Sequence, residues 1–402
     1  MKPVVVMKFG GTSVATPTGR AALIDRVRAV ANSPAAPVVV VSALGRRPAP
    51  YATDSLLDLV ADLPCDARET DLLSHVGELI SAVLVAAELR AAGVSARAYS
   101  GAEAGIITDD TAGNARILRI CPDALCDALA NDIVPVVAGF QGISESGHTT
   151  TLGRGGSDTS ACALGVALDA ERVEIYTDVD GVMSSDPRVV TSARVLDTIT
   201  SDELFQLARS GSRVVHKSAA ELTLASGAAL LVKNTFSTHA GTRVCDLEPY
   251  RTVAPATAIA HLEGITRFCV RLDAPEGEPA HSAAQAAVYR RLAADEISLD
   301  MFTPAGCCLY FTVPADQALK VDGALDDLGL SRTVTPDLAK VTVIGEGMHG
   351  RPGVMATVAD ALATQGIDII QTADSHMTIS VLVASRNAGA AVNALHSAFN
   401  LE

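Results

Sequence analysis

Short apolar runs alternate with longer helical patterns over the first part of the chain. The clearest of them, Pro37–Ser42, is a continuous run of valines, which is typical of strands buried on both faces of a parallel sheet. Between them, apolar residues recur with the helical period. The predicted strands are 3–7, 37–42, 134–140, 173–177 and 228–234, and the predicted helices are 21–31, 54–92 and 201–226. This alternation predicts an α/β domain in which helices cover a parallel sheet in three layers.

The pattern changes after a segment rich in Thr, Ser, Gly and Pro at 237–257. Two β-α-β-β units follow, and their apolar positions repeat at a spacing of about 70 residues, as in Leu292 and Val313 against Leu362 and Val383. Such a repeat predicts two small ferredoxin-like modules. The predicted domains are 1–245, 246–335 and 336–402.

Composition narrows the possible partners. Hydrophobic residues make up 49% of the chain and aromatic residues only 3%, so the core is expected to be aliphatic. The net charge of −15 argues against a nucleic acid or an anionic membrane as partner. No apolar run reaches the roughly 18 residues of a membrane span, and the N-terminus has no signal-peptide pattern. We therefore expect a cytoplasmic protein.

Eight cysteines are scattered along the chain without a C-x-x-C pair. They are expected to be reduced and mostly buried, as in proteins of a reducing compartment. Without that pair, the cysteines do not indicate a zinc site, and no metal ligands are assigned.

The clearest candidate for chemistry is the loop around Arg154. Glycines at 153, 155 and 156 flank this arginine, and Asp158 follows just before an apolar helical pattern. Glycines allow a ligand to approach the backbone, and a guanidinium group binds a carboxylate or a phosphate with two parallel hydrogen bonds. A glycine-rich turn with a solvated arginine is the alternative interpretation.

Other candidates follow predicted strands. The first strand leads into Lys8-Phe9-Gly10-Gly11-Thr12-Ser13, a possible phosphate-binding turn, and the second leads into Ser42. Ligands of open α/β sheets bind at this edge, where the strands end. Glu78 begins an apolar helical run, and its alternative role is a carboxylate that stabilises the helix N-terminus.

A second glycine motif, Gly345-Glu346-Gly347-Met348-His349-Gly350, matches the G-x-G-x-x-G pattern of dinucleotide-binding domains. It lies within the second β-α-β-β unit, however, and no further strands of a nucleotide domain follow it. NAD binding is therefore not expected here.

Taken together, these motifs resemble those of aspartokinases in the amino-acid-kinase family. The resemblance extends over nearly the whole chain and includes Lys8–Ser13, Val41–Ala43, Gly77-Glu78, Gly153–Asp158, Thr177–Gly181 and Asp186–Arg188. The C-terminal repeat is similar to the paired ACT modules of this family, which sense amino acids. The segments Tyr51–Ser55 and Gln371–His376 are most similar to monofunctional, diaminopimelate-responsive isozymes of Gram-positive bacteria.

The resemblance implies transfer of the ATP γ-phosphoryl group, with Mg²⁺, to the β-carboxylate of L-aspartate, at the start of the aspartate-family pathway. It implies catalytic roles for Lys8 and Asp158. The implied substrate-binding residues are Thr12, Ser42, Thr53, Glu78, Arg154 and Ser157. The implied nucleotide-binding residues are Lys8, Gly10, Gly11, Thr177, Asp178, Arg188 and Arg213.

The resemblance also implies regulation by an amino acid and a homodimer formed through the ACT modules. The implied effector-binding residues are Asp300, Met301, Val354, Asp374 and Ser375. The chain departs from the family pattern at Arg213, where a nucleotide-contacting lysine is usual, and at Lys217, where a proline is usual. Two alternatives remain open: a kinase of the same fold that acts on another carboxylate, and a non-catalytic amino-acid sensor.

Overall fold

The computed structural model describes residues 2–211, 229–245, 255–272, 275–348 and 350–402. The chain forms two compact units, and neither is continuous in sequence. The first comprises Met1–Val182, Val195–Arg209 and Arg213–Arg251, and the second comprises Met183–Arg194, Ser210–Ser212 and Thr252–Glu402.

An eight-stranded sheet forms the centre of the first unit. Its strands are β1 (Val4–Phe9), β2 (Ala36–Val41), β3 (Ala96–Tyr99), β6 (Val134–Ala138), β9 (Arg172–Thr177), β10 (Thr198–Thr200), β11 (Ala229–Asn234) and β12 (Thr242–Cys245). They are ordered β10-β12-β11-β9-β1-β2-β6-β3, and all pairs are parallel except β11 with β12. The predicted parallel α/β sheet is confirmed. The valine runs that predicted β1 and β2 are buried in its core.

The helices of this unit are α1 (Gly11–Ala15), α2 (Pro17–Ala31), α3 (Thr53–Asp58), α4 (Ala67–Ser74), α5 (Val76–Ala91), α6 (Asp123–Ala130), α7 (Gly156–Ala167) and α8 (Ser201–Arg209). The prediction of one continuous helical region over 54–92 is wrong. Pro64 interrupts the helical pattern because proline lacks the backbone donor and restricts the residue before it. Asp66 then begins α4 by accepting a hydrogen bond from the Glu69 N–H at 2.7 Å.

A second, smaller sheet was not predicted. It contains β4 (Ile106–Thr108), β5 (Ile117–Ile120), β7 (Gln141–Ser144) and β8 (Thr149–Thr151), in the order β5-β4-β7-β8. These strands are only three or four residues long, too short for a clear alternation of apolar and polar residues. The hairpin of β7 and β8 leads directly into the Arg154 loop.

The helical stretch Ala67–Ala91, which contains α4 and α5, is long and apolar enough to cross a membrane by length and composition alone. This finding differs from the sequence-based expectation that no apolar run reaches the length of a membrane span. Two carboxylates of this stretch, Asp71 and Glu78, are buried and accept hydrogen bonds from other parts of the same unit. Leu89 of α5 lies in the core beside the sheet. The structure therefore accounts for its apolar character by packing inside the unit.

We expect Leu89→Ala to lower the free energy of unfolding by about 2–5 kcal/mol, because it removes buried methyl groups and leaves a cavity. Val83→Ala on the same helix is the matched control, since the Val83 side chain is exposed. Its effect should stay within about 0.5 kcal/mol. Urea unfolding of both variants measures the difference, and equal losses would contradict the core packing of α5.

The second unit contains a six-stranded sheet ordered β14-β15-β13-β16-β18-β17. Its strands are β13 (Ala258–Arg271), β14 (Asp300–Ala305), β15 (Cys308–Pro314), β16 (Arg332–Ile344), β17 (Gln371–Asp374) and β18 (Thr378–Ala384). Its helices are α9 (Pro279–Ala294), α10 (Ala318–Asp327), α11 (Val354–Thr364) and α12 (Ala388–Ala398).

The long strand β13 contributes to two separate hydrophobic cores. Phe268 and Val270 lie in a core with α9 and α10, whereas Ile259 lies in a core with α11 and α12. The start of β13 therefore packs with the second of the two predicted modules, although it lies within the bounds predicted for the first, 246–335. Val190, from the segment Met183–Arg194, lies in that same second core.

Candidate functional site

The candidate site lies at one edge of the parallel sheet. Lys8 is near the end of β1, Ser42 directly follows β2 and Thr177 ends β9. Because β1 is parallel to both of its neighbours, these three ends meet at the same edge. Ser42 and Thr177 are half-buried. The sequence-based expectation that small polar groups gather here agrees with this placement.

The strongest interaction at this edge is an ion pair between Lys8 and Asp158. The Lys8 Nζ lies 2.5 Å from Asp158 Oδ1, and each side chain is 11% exposed. Asp158 belongs to the first turn of α7, close to the Arg154 loop, so the pair joins a strand end to a helix start. Because both charges are deeply buried, removing either one would leave the other without a partner, at a large cost in free energy. The arrangement holds the ammonium group of Lys8 in one place.

Gly10 and Gly11 form the turn after Lys8. A Cβ on Gly10 would lie 3.7 Å from Lys8 Nζ, and one on Gly11 would lie only 2.9 Å from the Gly45 carbonyl oxygen. The Gly10 N–H donates to the Tyr176 carbonyl oxygen at 3.2 Å, so it is not directed at a ligand. The turn thus provides space beside the ammonium group. Thr12, in α1, is half-buried.

The Arg154 loop lies between β8 and α7. Gly153 and Gly155 have φ values of +71° and +74°, which residues other than glycine rarely adopt. Arg154 is exposed, and Ser157, within the first turn of α7, is buried. This loop presents a guanidinium group to solvent a few residues from the Lys8–Asp158 pair.

Glu78 is a deeply buried carboxyl group of α5. The Ala43 N–H donates to its Oε1 at 3.1 Å, and Oε2 has no hydrogen-bond partner. Burial raises the pKa of Glu78 to about 8, although hydrogen bonds from Ala43 and the Thr53 side chain oppose the shift. A buried carboxylate with one unused oxygen is suited to accept a cationic ligand group. The alternative role, a carboxylate that only stabilises the helix N-terminus, does not explain why Glu78 is so deeply buried.

The remaining predicted nucleotide contacts are dispersed. Asp178 is exposed and accepts a hydrogen bond from the Thr177 hydroxyl at 3.1 Å. Arg188 belongs to the second compact unit, where it pairs with Asp186 at 2.6 Å and is largely exposed. Arg213 lies outside the described residues, as does Lys217. The structure therefore brings Thr177 and Asp178 to the sheet edge with Lys8, and leaves Arg188 as a prediction.

The predicted effector residues all lie in the second unit. Met301 is buried with Ile265 in a small cluster, and the Asp300 carboxylate pairs with Lys340. Val354 begins α11 and lies in the core that contains β18. The other two predicted residues, Asp374 and Ser375, are exposed at the end of β17. Their role in effector binding stays a prediction.

Sequence reasoning missed two polar interactions near the site. Asp71 is buried and accepts hydrogen bonds from Thr151, which ends β8. Asp180 accepts a hydrogen bond from Asn234, at the end of β11, at 2.8 Å. The only available signal for Asp71 was a single acidic residue inside an apolar helical pattern, which is too weak to identify a site.

Two family models match the chain. Residues 3–234 match the amino acid kinase family, and residues 333–397 match an ACT domain. Aspartokinase 1 of Bacillus subtilis is 41% identical over 405 residues, with 99% of each chain covered. The aspartokinase of Mycolicibacterium smegmatis is 37% identical, with 99% of this chain and 96% of its own covered. The chain belongs to the aspartokinases.

Solved structures agree with this membership. The structure of Escherichia coli aspartokinase III with aspartate and ADP, in the R-state, has a TM-score of 0.79 and 26% identity, and the match covers 98% of this chain and 99% of that one. The same enzyme with lysine and aspartate, in the T-state, has a TM-score of 0.76 and 28% identity, and covers 99% of both chains. The predicted family, fold class and enzyme class are confirmed for this aspartokinase.

Proposed function

We propose that this aspartokinase transfers the γ-phosphoryl group of ATP to the β-carboxylate of L-aspartate at the edge where β1, β2 and β9 end. The buried Lys8–Asp158 pair is the observation that supports this most directly. A carboxylate nucleophile is already ionised at neutral pH, so the reaction needs no general base. It needs the alignment of two anions and the neutralisation of their charge. Lys8 supplies a fixed positive charge for the transferred group, and Asp158 holds it in position.

In this proposal, Arg154 and Glu78 bind the amino-acid end of the substrate. The exposed guanidinium group of Arg154 pairs with the α-carboxylate in a bidentate manner. The unused Oε2 of Glu78 accepts a hydrogen bond from the α-ammonium group. The hydroxyl groups of the half-buried Thr12, Ser42 and Thr53 and the buried Ser157 hydrogen-bond to the substrate carboxylates.

The nucleotide is proposed to bind beside Gly10, Gly11, Thr177 and Asp178, with Arg188 and Arg213 as further contacts. Mg²⁺ is commonly held by substrate phosphates and one or two carboxylates rather than by a protein cage. Among the described residues, no group of three or more His, Cys, Asp or Glu side chains is placed to hold a metal ion. Asp178 is an exposed carboxylate at the correct edge. When bound with the nucleotide, Mg²⁺ neutralises phosphate charge.

An amino acid is proposed to regulate the enzyme through its ACT region, near Asp300, Met301, Val354, Asp374 and Ser375. We also propose a cytoplasmic homodimer. Inhibition by lysine, threonine and meso-diaminopimelate, tested one at a time, identifies the effector. Light scattering with and without each compound tests the dimer, and a monomer under all conditions would contradict it.

The purified protein is expected to form acyl phosphate from Mg-ATP and aspartate, trapped as the hydroxamate. Arg154→Ala should raise the KM for aspartate by about 100-fold, because it removes a charged pair that contributes about 1.5–3 kcal/mol. Arg97→Ala, which changes an exposed arginine on β3, is the control.

A substrate panel distinguishes the alternatives: a higher kcat/KM for another carboxylate indicates a related acid kinase, and no turnover with any of them indicates a sensor.

A further inference from the structure

Asp71 is a buried carboxylate to which the proposed mechanism gives no role. It lies on α4 and is 1% exposed. The Gly113 N–H donates to both of its oxygens at 3.0 Å. The Thr151 N–H donates to Oδ2 at 3.0 Å, and the Thr151 hydroxyl donates to Oδ1 at 2.6 Å. Hydrogen bonds from backbone N–H groups and a hydroxyl therefore stabilise the buried charge.

These hydrogen bonds connect two separate segments to α4. Gly113 lies in the loop between β4 and β5, and Thr151 is the last residue of β8. The same loop also contacts β8 directly, because the Ala115 N–H donates to the Thr151 carbonyl oxygen at 2.8 Å. The Asp71 carboxylate thus fixes the end of β8 against both a loop and a helix.

The end of β8 determines the position of Arg154. Only Leu152 and Gly153 separate Thr151 from Arg154. A Cβ on Gly153 would lie 2.8 Å from Asn114 Oδ1, so the loop held by Asp71 packs directly against the backbone before Arg154. A displacement of this loop or of Thr151 would therefore move the guanidinium group.

Asp71 is also connected to Glu78, through the helices on which the two residues lie. Asp71 is on α4, and only His75 separates α4 from α5, on which Glu78 lies. The Gln141 side-chain amide donates to the His75 carbonyl oxygen at 2.9 Å, which fixes the junction of the two helices. Asp71 consequently links the strand before Arg154 to the helix of Glu78.

We propose that Asp71 is a positioning residue that sets the separation of Arg154 and Glu78, and thereby matches the site to an α-amino acid. This inference rests on the proposed roles of those two residues. In an α-amino acid the carboxylate and the ammonium group share one carbon, so the two binding groups tolerate little error in their spacing. A spacing that fits the two groups poorly weakens binding of aspartate in the ground state and the transition state alike, so it raises KM and leaves kcat nearly unchanged. The hydrogen bonds of Asp71 reach Gly113 and Thr151 but not β1, which carries Lys8 on the phosphate side of the site.

The main test is Asp71→Asn, which keeps the shape of the side chain but replaces one acceptor oxygen with a donor. The amide keeps one acceptor oxygen, so the Gly113 N–H loses one of its two acceptors. The remaining hydrogen bonds lose the strength that a carboxylate acceptor gives them, so the clamp loosens. We expect the KM for aspartate to rise about 30- to 100-fold, while kcat at saturating aspartate and the KM for ATP change less than about threefold. Amide hydrogen exchange should be faster in the variant than in the wild type only in the segments 113–115 and 151–154.

Two threonines of β8 give a matched pair of variants. Thr151→Val removes the hydroxyl that donates to Asp71, and Thr150→Val removes a hydroxyl that bonds to Thr108 at 2.5 Å. Both threonines are equally buried. Only Thr151→Val should raise the KM for aspartate. Thr151→Ser, which keeps the hydroxyl, should have the KM of the wild type.

The proposal is overturned if Asp71→Asn leaves the KM for aspartate unchanged, or if it lowers kcat and raises both KM values together, as a general loss of structure would. It is also overturned if Thr150→Val has the same effect as Thr151→Val. Failure of the proposed function gives a different result: Arg154→Ala or Glu78→Gln then leaves the KM for aspartate unchanged, whatever the exchange data show for Asp71.

Discussion

Replacing Lys8 with methionine is expected to lower kcat by about 1,000-fold. Methionine keeps the length of the side chain but removes the charge that neutralises the transferred phosphoryl group, and loss of one such electrostatic contact costs about 10²- to 10³-fold. The hydroxamate assay at saturating aspartate and ATP measures the change. The KM for aspartate should change little, because Lys8 is not among the groups proposed for amino-acid binding.

The Lys8→Met variant also leaves the Asp158 carboxylate without its partner, which by itself destabilises the fold. The double variant Lys8→Met with Asp158→Asn removes both charges, so it should recover stability without recovering activity. Lys233→Met is the matched control, since Lys233 is a partly buried lysine of β11 that lies 3.6 Å from Glu174. If the double variant regained wild-type turnover, the role of Lys8 would be wrong.

The second large effect concerns the pH dependence of aspartate use. The pKa of Glu78 is raised from about 4.5 to about 8 by burial, so the free enzyme holds this group protonated at neutral pH. The carboxylate is the form that pairs with the α-ammonium group. The value of kcat/KM for aspartate should therefore rise about tenfold per pH unit below pH 8 and level off above it, since this ratio reports the free enzyme.

The variant Glu78→Gln should remove this pH dependence and lower kcat/KM for aspartate by about 100-fold at pH 8, because a charged hydrogen bond of about 1.5–3 kcal/mol is lost. Glu88→Gln on the same helix is the control, since Glu88 pairs with Arg20 and is partly exposed. A pH profile that is unchanged in Glu78→Gln would show that another group titrates.

The same shift changes stability with a defined sign. Between about pH 4.5 and pH 8 the folded protein binds a proton at Glu78 that the unfolded chain has released. The contribution of this group to the free energy of unfolding therefore falls as pH rises through that range. Glu78→Gln should be less sensitive to pH than the wild type over the same interval, as measured by urea unfolding in the absence of substrate.

The sequence alone determined most of the kinase sheet. Valine runs identify strands buried on both faces, and this local signal located β1, β2 and β6 within a few residues. The repeat of apolar positions likewise predicted the two β-α-β-β units. Lys8, Arg154 and Asp158 were predicted as site residues because they lie in or beside glycine-rich segments, and the structure pairs Lys8 with Asp158.

The tertiary structure decided the features that depend on distant contacts. Nothing near Glu78 in sequence indicates that its carboxyl group is deeply buried, which raises its pKa, or that the Ala43 N–H donates to it. The Gly10 N–H appears free in the motif, but β9 supplies its acceptor. Asp71 acquires its role from Gly113 and Thr151, 42 and 80 residues away. Burial and hydrogen-bond partners of this kind arise only when separate segments meet, so no local pattern contains them.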